Sequence, residues 1–387
     1  MKGSDNVTST SPVTLAEWGD RLWGALVDGD EYAAAGTAFA ALDAGVDPET
    51  VLLEVIAPAQ ARVGGEWAAN RISVAAEHAA TAINERVIAA LAHHSAGRVE
   101  ANLGRVAVAC VDGEWHALPA RLLAEVLRLR GWQPDFLGAH VPTPHLIAHL
   151  HQTNSKAVAL SSSIPTRLPA AHAAITACQA IGVPVIAGGS AFGPDGRYAR
   201  RFGADGWAAD ARGAAEWLRD VAPRPAVAAH HPIDDLPHLA DQEYTFVTRN
   251  APALVRRTLD GLDGDARGAG DAHKARGAER AGTTGRNADP EGRDDARQAA
   301  AEDISTFVGF LGAALYVDDD ALFSQHISWT VEILRARDVP ISWLSRALDL
   351  LARQLNDFPR ARRIVAAARR DVPDRPASSL SNPGSQA

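Results

Sequence analysis

Apolar residues recur at helical spacing from Leu15 to about His94. Leu15, Trp18, Leu22 and Leu26 make one stripe, with Trp23 beside it, and residues 32–44 give a second helix ended by Gly45. Asp47-Pro48 opens a third helix through Val51, Leu52, Val55 and Ile56, and Gly64-Gly65 marks its end or a kink. Residues 72–91 make a fourth, with Val74, Ile83, Val87 and Leu91 apolar. Four such helices with short links predict an antiparallel four-helix bundle over 13–95. From 104 to 222 the pattern changes. Apolar β-forming runs at 106–111, 133–136, 157–161, 183–187 and 206–208 alternate with helical patterns at 119–130, 144–153, 170–181, 196–203 and 211–221. Strict alternation predicts a doubly wound, flavodoxin-like α/β domain with a parallel sheet.

The rest of the chain is helical again. Residues 239–262 read as a helix around Pro252, and 263–300 are Gly, Ala, Asp and Arg with almost no large apolar residue, which reads as a flexible insertion. Three further helices carry the stripes Ile304/Phe307/Val308/Leu311/Leu315, Leu322/Phe323/His326/Ile327/Thr330/Ile333/Leu334 and Ile341/Leu344/Leu348/Leu351/Leu355. The expectation is an all-α domain over 239–360. Residues 1–12 read as disordered, 361–387 as a tail that is polar and disordered from Asp371, and 223–238, rich in Pro, Ala and His, as a linker.

Length and charge narrow the classes. A chain of 387 residues predicts two or three domains, and a net charge of −9 argues against general nucleic-acid affinity. Nothing ahead of the bundle reads as a helix-turn-helix. No apolar run is long enough to span a bilayer, and the start, MKGSDNVTSTSP, is no signal peptide, so a cytoplasmic protein is the default. The two cysteines, Cys110 and Cys178, fall in no metal-type cluster.

Candidate chemistry concentrates in CVDGEWHALP, residues 110–119. The first strand ends in Asp112-Gly113, and Glu114, Trp115 and His116 follow before a helix begins. Open α/β sheets bind ligands at this carboxyl edge. A carboxylate beside a histidine fixes its tautomer and raises its basicity, as metal ligands require, although a loop histidine in an ordinary hydrogen bond has the same sequence. Two further strand ends reach the same edge with Ser161-Ser162-Ser163 and Gly188-Gly189, whose small residues admit a large group close to the backbone.

Taken together, Glu114, His116, Ser161 and Gly188-Gly189 resemble the cobalamin-binding domain of methionine synthases, corrinoid proteins and B12-dependent photoreceptors. The resemblance implies base-off binding. His116 becomes the lower axial cobalt ligand, Trp115 sits beside it, and the nucleotide tail passes Ser161, Ser163, Thr166, Gly188 and Gly189. Pro119 stands where the family has Gly, and Ser163 where it has Leu. Within the bundle, nine residues separate Trp67 from Glu77-His78. This resembles the helical cap of the adenosylcobalamin photoreceptors, and implies that Trp67, Glu77 and His78 line the upper face of the corrin. Ala68 stands where some members carry a second cobalt-binding histidine.

The order of parts resembles the photocobilins, which add a helical biliverdin-binding domain. That implies a globin-like C-terminal domain with a non-covalent biliverdin near His326 and Trp329, and with Arg256, Arg257 and Arg335 on its propionates; haem on His326 is the rival ligand, and a plain core histidine the bland reading. The expected function is a non-enzymatic light sensor. Photolysis of adenosylcobalamin changes domain packing and homo-oligomeric assembly to signal to an unknown effector, without DNA or membrane. The alternatives are a corrinoid methyl carrier of a methyltransferase system and a non-photic cobalamin- and haem-sensing regulator.

Overall fold

The computed structural model describes residues 13–94, 98–220, 241–277 and 290–373, with side chains left undescribed over 265–296. The expected disordered start 1–12 and linker 223–238 lie outside the described residues. The chain divides into two compact units: 1–163 with 173–228, and 164–172 with 229–387.

The first unit opens with the bundle. Helix α1 (Leu15–Val27) starts on a capping box in which Thr14 and Glu17 bond each other's backbone, and α2 (Glu31–Asp43) starts on Asp30. Next come α3 (Pro48–Thr50), capped by Asp47, a π-helical stretch Val51–Ile56, and α4 (Ala57–Ala68), forming one continuous rod. Gly64-Gly65 does not end this rod. Both glycines lie inside α4, which ends instead at Asn70 in a left-handed conformation (φ 57°). Helix α5 (Val74–Leu91) starts on Ser73, which accepts from the Ala76 N–H. Leu22, Leu26, Val51, Ile56, Val63, Val87 and Ile88 fill the core.

The sheet follows in the same unit. Strands β1 (Arg105–Cys110), β2 (Gln133–Gly138), β3 (Ala157–Ser161), β4 (Val185–Gly188) and β5 (Gly206–Ala208) are parallel in the order β2-β1-β3-β4-β5. Helices α6 (Leu118–Leu129), α7 (Thr143–Thr153), α8 (Leu168–Ala180), α9 (Arg197–Arg201) and α10 (Ala211–Asp220) make the connections. Bundle and sheet are joined by ion pairs. Arg130, after α6, grips Glu49 with two bonds of 2.8 Å, and Arg212 in α10 reaches Glu49 at 3.0 Å and Glu54 at 2.7 Å. This network holds the Glu49 carboxyl below its ordinary range, chiefly through the Arg130 hydrogen bond.

The second unit is helical. It combines the segment 164–172 with α11 (Glu243–Gly277), α12 (Pro290–Val317), α13 (Asp320–Ala336), α14 (Ser342–Gln354) and α15 (Pro359–Asp371). Three expectations are corrected here. Most of the expected insertion 263–300 is helix: α11 continues to Gly277 and α12 begins at Pro290, with 278–289 outside the described residues. Poverty in large apolar residues excludes a core but not a helix, since Ala, Arg and Lys are good helix formers. The expected tail also begins too early. Helix α15 buries Ala361, Ile364, Val365 and Ala368, and the buried Glu243 carboxylate caps it, accepting from the Arg360 (3.1 Å) and Ala361 (2.7 Å) N–H groups. Its small apolar residues sit among five arginines and masked the stripe. Residues 374–387 lie outside the described residues. Against the expectation of no membrane-length apolar run, Arg297–Val317 is long and apolar enough by composition (mean hydropathy 1.3), although 56% of it is buried in the protein.

Candidate functional site

Strand register brings the three candidate loops together. Cys110 of β1 lies opposite Ser161 of β3, and Ser161 lies opposite Gly188 of β4, so the chain leaves the sheet side by side at all three points. In the first loop Gly113 (φ 77°) makes the turn that sends Glu114 inward, where it is fully buried.

The Glu114 carboxylate accepts hydrogen bonds on both oxygens. Oε1 takes the His116 N–H (2.9 Å) and lies 2.6 Å from His116 Nδ1; Oε2 takes the Ser162 hydroxyl (3.1 Å) and the Ser163 N–H (2.7 Å). A buried carboxylate so saturated stays an acceptor, so it keeps a proton on Nδ1 of His116 and leaves Nε2 as the free ring nitrogen. The imidazole itself is 56% exposed. Its pKa is raised, first by the Glu114 hydrogen bond, against the opposing effect of partial burial, with the charges of Glu114 and Glu77 adding to the rise. Glu77 thus acts on His116 from the first turn of α5. It is half-buried, accepts from the Thr81 hydroxyl (3.0 Å), and lies against His78 Nδ1 (2.5 Å), while His78 stays exposed. Thr81 accepts from Gln60 (2.7 Å), and Gln60 in turn accepts from the fully buried Asn84 (2.8 Å), which ties Glu77 into the bundle core. Trp67 closes α4, half-buried.

Gly189 must be glycine. Its φ is 98°, and a Cβ there would lie 2.2 Å from the Ser162 carbonyl oxygen. That close approach lets Ser162 N–H donate to Gly188 O and Ala191 N–H to Ser162 O, holding the serine loop in place. Cys110 and Cys178 are free and buried, and burial pushes both thiols up to about 12, with the charge of Glu114 adding at Cys110, so neither is a nucleophile at neutral pH.

Other expected site residues are placed differently. Ser162, not expected, supplies the side chain to Glu114; Ser163 contributes its backbone N–H, and Ser161 is buried at the strand end. Strand β3 ends at Ser161, so no period in the sequence singled out Ser162. Thr166 belongs to the second unit, where its methyl would lie 3.4 Å from a Cβ at Gly309 of α12. His140 was also missed; it stacks on the exposed Trp115 with ring centroids 4.9 Å apart.

In the second unit His326 is buried in an aromatic cluster. It stacks on Phe310 at 3.7 Å, meets Phe307 edge-on at 5.9 Å, and lies 6.0 Å from Trp329. Burial lowers its pKa to about 4, and its Nε2 has no hydrogen-bond partner among the described residues. The expected arginines do not gather there. Arg335 lies nine residues on, about half a turn around α13, and is exposed, as are Arg256 and Arg257 on α11.

The fold and the site define a class. Among the described residues no group of three or more His, Cys, Asp or Glu side chains could hold a metal ion. The site offers the carboxylate-tuned imidazole of His116 as a nitrogen donor. In keeping with this, residues 18–92 and 104–216 each match a family model described as a B12 binding domain, so the chain carries two B12-binding domains and binds cobalamin. Among solved structures, the monomethylamine corrinoid protein of Methanosarcina barkeri is similar at 19% identity and a TM-score of 0.47, covering 54% of this chain and 100% of that one. The methanol:cobalamin methyltransferase complex from Methanosarcina barkeri is similar at 18% and 0.29, covering 56% and 87%. A cobalamin-binding protein from Desulfitobacterium hafniense DCB-2 is similar at 20% and 0.29, covering 51% and 95%. No curated protein matches the chain.

Proposed function

We propose that the first unit holds a corrinoid base-off, with His116 as the lower axial ligand and the bundle above it, and serves as a corrinoid carrier for a partner methyltransferase. The observation that carries this reading is the 2.6 Å contact between His116 Nδ1 and the buried Glu114 carboxylate, which leaves Nε2 as the free ring nitrogen. A bound alkylcobalamin supplies a cobalt–carbon bond that a partner can draw on or that light can break. His116 holds the lower face, Glu114 keeps the proton on Nδ1, Ser162 and Ser163 hold Glu114, and Trp67 and Glu77 cover the upper face. In this reading the chain performs no turnover alone and works in the cytoplasm.

A second reading, a light sensor, is favoured by two observations. Glu77 reaches His116 electrostatically from the same segment as Trp67, and His326 presents an unpartnered nitrogen within an aromatic cluster suited to a flat tetrapyrrole such as biliverdin or haem. Here the cobalamin is the adenosyl form, and light changes homo-oligomeric assembly to signal to an effector. Absorption spectra of the full chain with methyl- and adenosylcobalamin, with and without biliverdin, and size-exclusion chromatography before and after green light separate the two. A stable size with a photostable adenosylcobalamin supports the carrier. Photolysis with a shifted elution supports the sensor. A His116→Ala variant whose cobalamin spectrum matches wild type sinks the shared assignment.

A further inference from the structure

We propose that His140 is a positioning residue for the lower ligand: it braces the turn that carries His116 and so sets where the axial nitrogen points. The inference rests on the reading of His116 as cobalt ligand. His140 lies in the loop between β2 and α7, and it touches three consecutive residues ahead of His116. Its imidazole Nδ1 accepts from the Gly113 N–H at 2.8 Å. Its backbone N–H donates to the Glu114 carbonyl at 2.8 Å. Its ring stacks on Trp115 with an interplanar angle of 16°. Glu114 is thus held twice, its side chain bonding His116 and its carbonyl bonding His140.

The backbone points the same way. His140 has φ 49°, a left-handed conformation that a side chain disfavours. The other non-glycine described residues in that region are Asn70, Asn154, Asp318 and Asp338, whose short polar side chains tolerate it. A bulky imidazole is held there because the conformation aims Nδ1 at Gly113. That acceptor role places the ring proton on Nε2 in the neutral form. Asp112 Oδ1, at 3.2 Å from Nδ1, then receives no proton from it, and the shorter Gly113 bond defines the arrangement. The pair His140 and Trp115 is exposed at the mouth of the loop and fills no core, so its contacts serve the turn.

The experiment compares full-length wild type with His140→Gly, His140→Asn and His116→Ala, each reconstituted with cobalamin and with cobinamide, a corrinoid that lacks its own base. Electron paramagnetic resonance of the Co(II) form reports an axial nitrogen by its hyperfine splitting, and with cobinamide that nitrogen comes from the protein. Glycine suits the left-handed backbone, so His140→Gly folds, yet it removes the acceptor and the stack. The expected result is loss of most nitrogen splitting and about tenfold weaker corrinoid binding, the size typical of a lost outer-shell partner. Asparagine also tolerates this backbone and offers an acceptor, so His140→Asn restores much of the splitting. A His140→Gly variant with wild-type splitting and affinity overturns the proposal while leaving His116 in place. Absence of splitting in wild type, or its persistence in His116→Ala, overturns the ligand assignment and this inference with it.

Discussion

Replacing Glu114 by Gln changes little in shape and much in hydrogen bonding. The carboxylate takes His116 N–H and Nδ1 on one oxygen, and Ser162 Oγ and Ser163 N–H on the other. An amide has one oxygen and one NH2. Turned toward the serines, the NH2 meets a hydroxyl that can rotate to accept and a Ser163 N–H that cannot. Turned toward His116, it strands the His116 N–H and pulls the ring into the tautomer protonated on Nε2, the nitrogen needed by cobalt. Either way one buried donor is left unsatisfied, which costs about 1–3 kcal/mol. Cobalamin affinity should fall about 10–100-fold, as for other outer-shell partners of metal ligands. The penalty also depends on pH. Glu114 raises the His116 pKa above its ordinary 6.5, so the pair stabilises the cobalamin-free fold below 6.5 and loses that contribution as pH rises through the raised value. Urea unfolding of the cobalamin-free chain on both sides of that window, with a cobalamin titration, measures both effects. A variant within about 0.5 kcal/mol of wild type at every pH, an ordinary surface-mutation effect, and with unchanged affinity would refute the reasoning.

Three further outcomes are expected. Gly189→Ala should destabilise the fold by about 1–3 kcal/mol, because a Cβ in that backbone region meets the Ser162 carbonyl; an unchanged denaturation midpoint would contradict the close approach. Glu49→Gln should flatten the acid limb of the stability curve, since a carboxyl held below its ordinary 4.5 by Arg130 stabilises above that pH and stops doing so as pH falls through the folded value; parallel acid limbs in wild type and variant would argue against the latch. His326→Phe should remove a pH dependence of the opposite origin. A histidine neutral down to about 4 loses stability as pH falls below 6.5, by about 1.4 kcal/mol per unit, and urea midpoints at acid and neutral pH would show whether the slope disappears.

The parts of the fold with strong periodicity were legible in the chain: the bundle stripes, the β/α alternation and the carboxyl-edge loops. Glu114 and His116 were legible too, because their spacing and strand-end position carry the chemistry. Ser162 was hidden among three serines, just past the end of β3, where no strand period tells which one faces Glu114. His140 was hidden because its partners are 25 or more residues away and its role depends on a left-handed backbone. Helix α15 was hidden because Ala361 and Ala368 make a weak stripe between arginines. The helical parts of 263–300 were missed because absence of a core was read as absence of order.

The π-helical stretch Val51–Ile56 has a consequence for Trp67. There the Ala57 N–H donates to Leu52 O, five residues back, which fits one extra residue into the rod. Glu49 and Glu54 sit before or within it, fastened to Arg130 and Arg212, and Trp67 sits beyond it. The extra residue therefore acts as a phase adjuster between anchor and tryptophan. Forcing the stretch into ordinary helix without removing a residue would swing Trp67 by about 100° around the rod, whereas deleting one residue as the bulge closes would leave its phase unchanged.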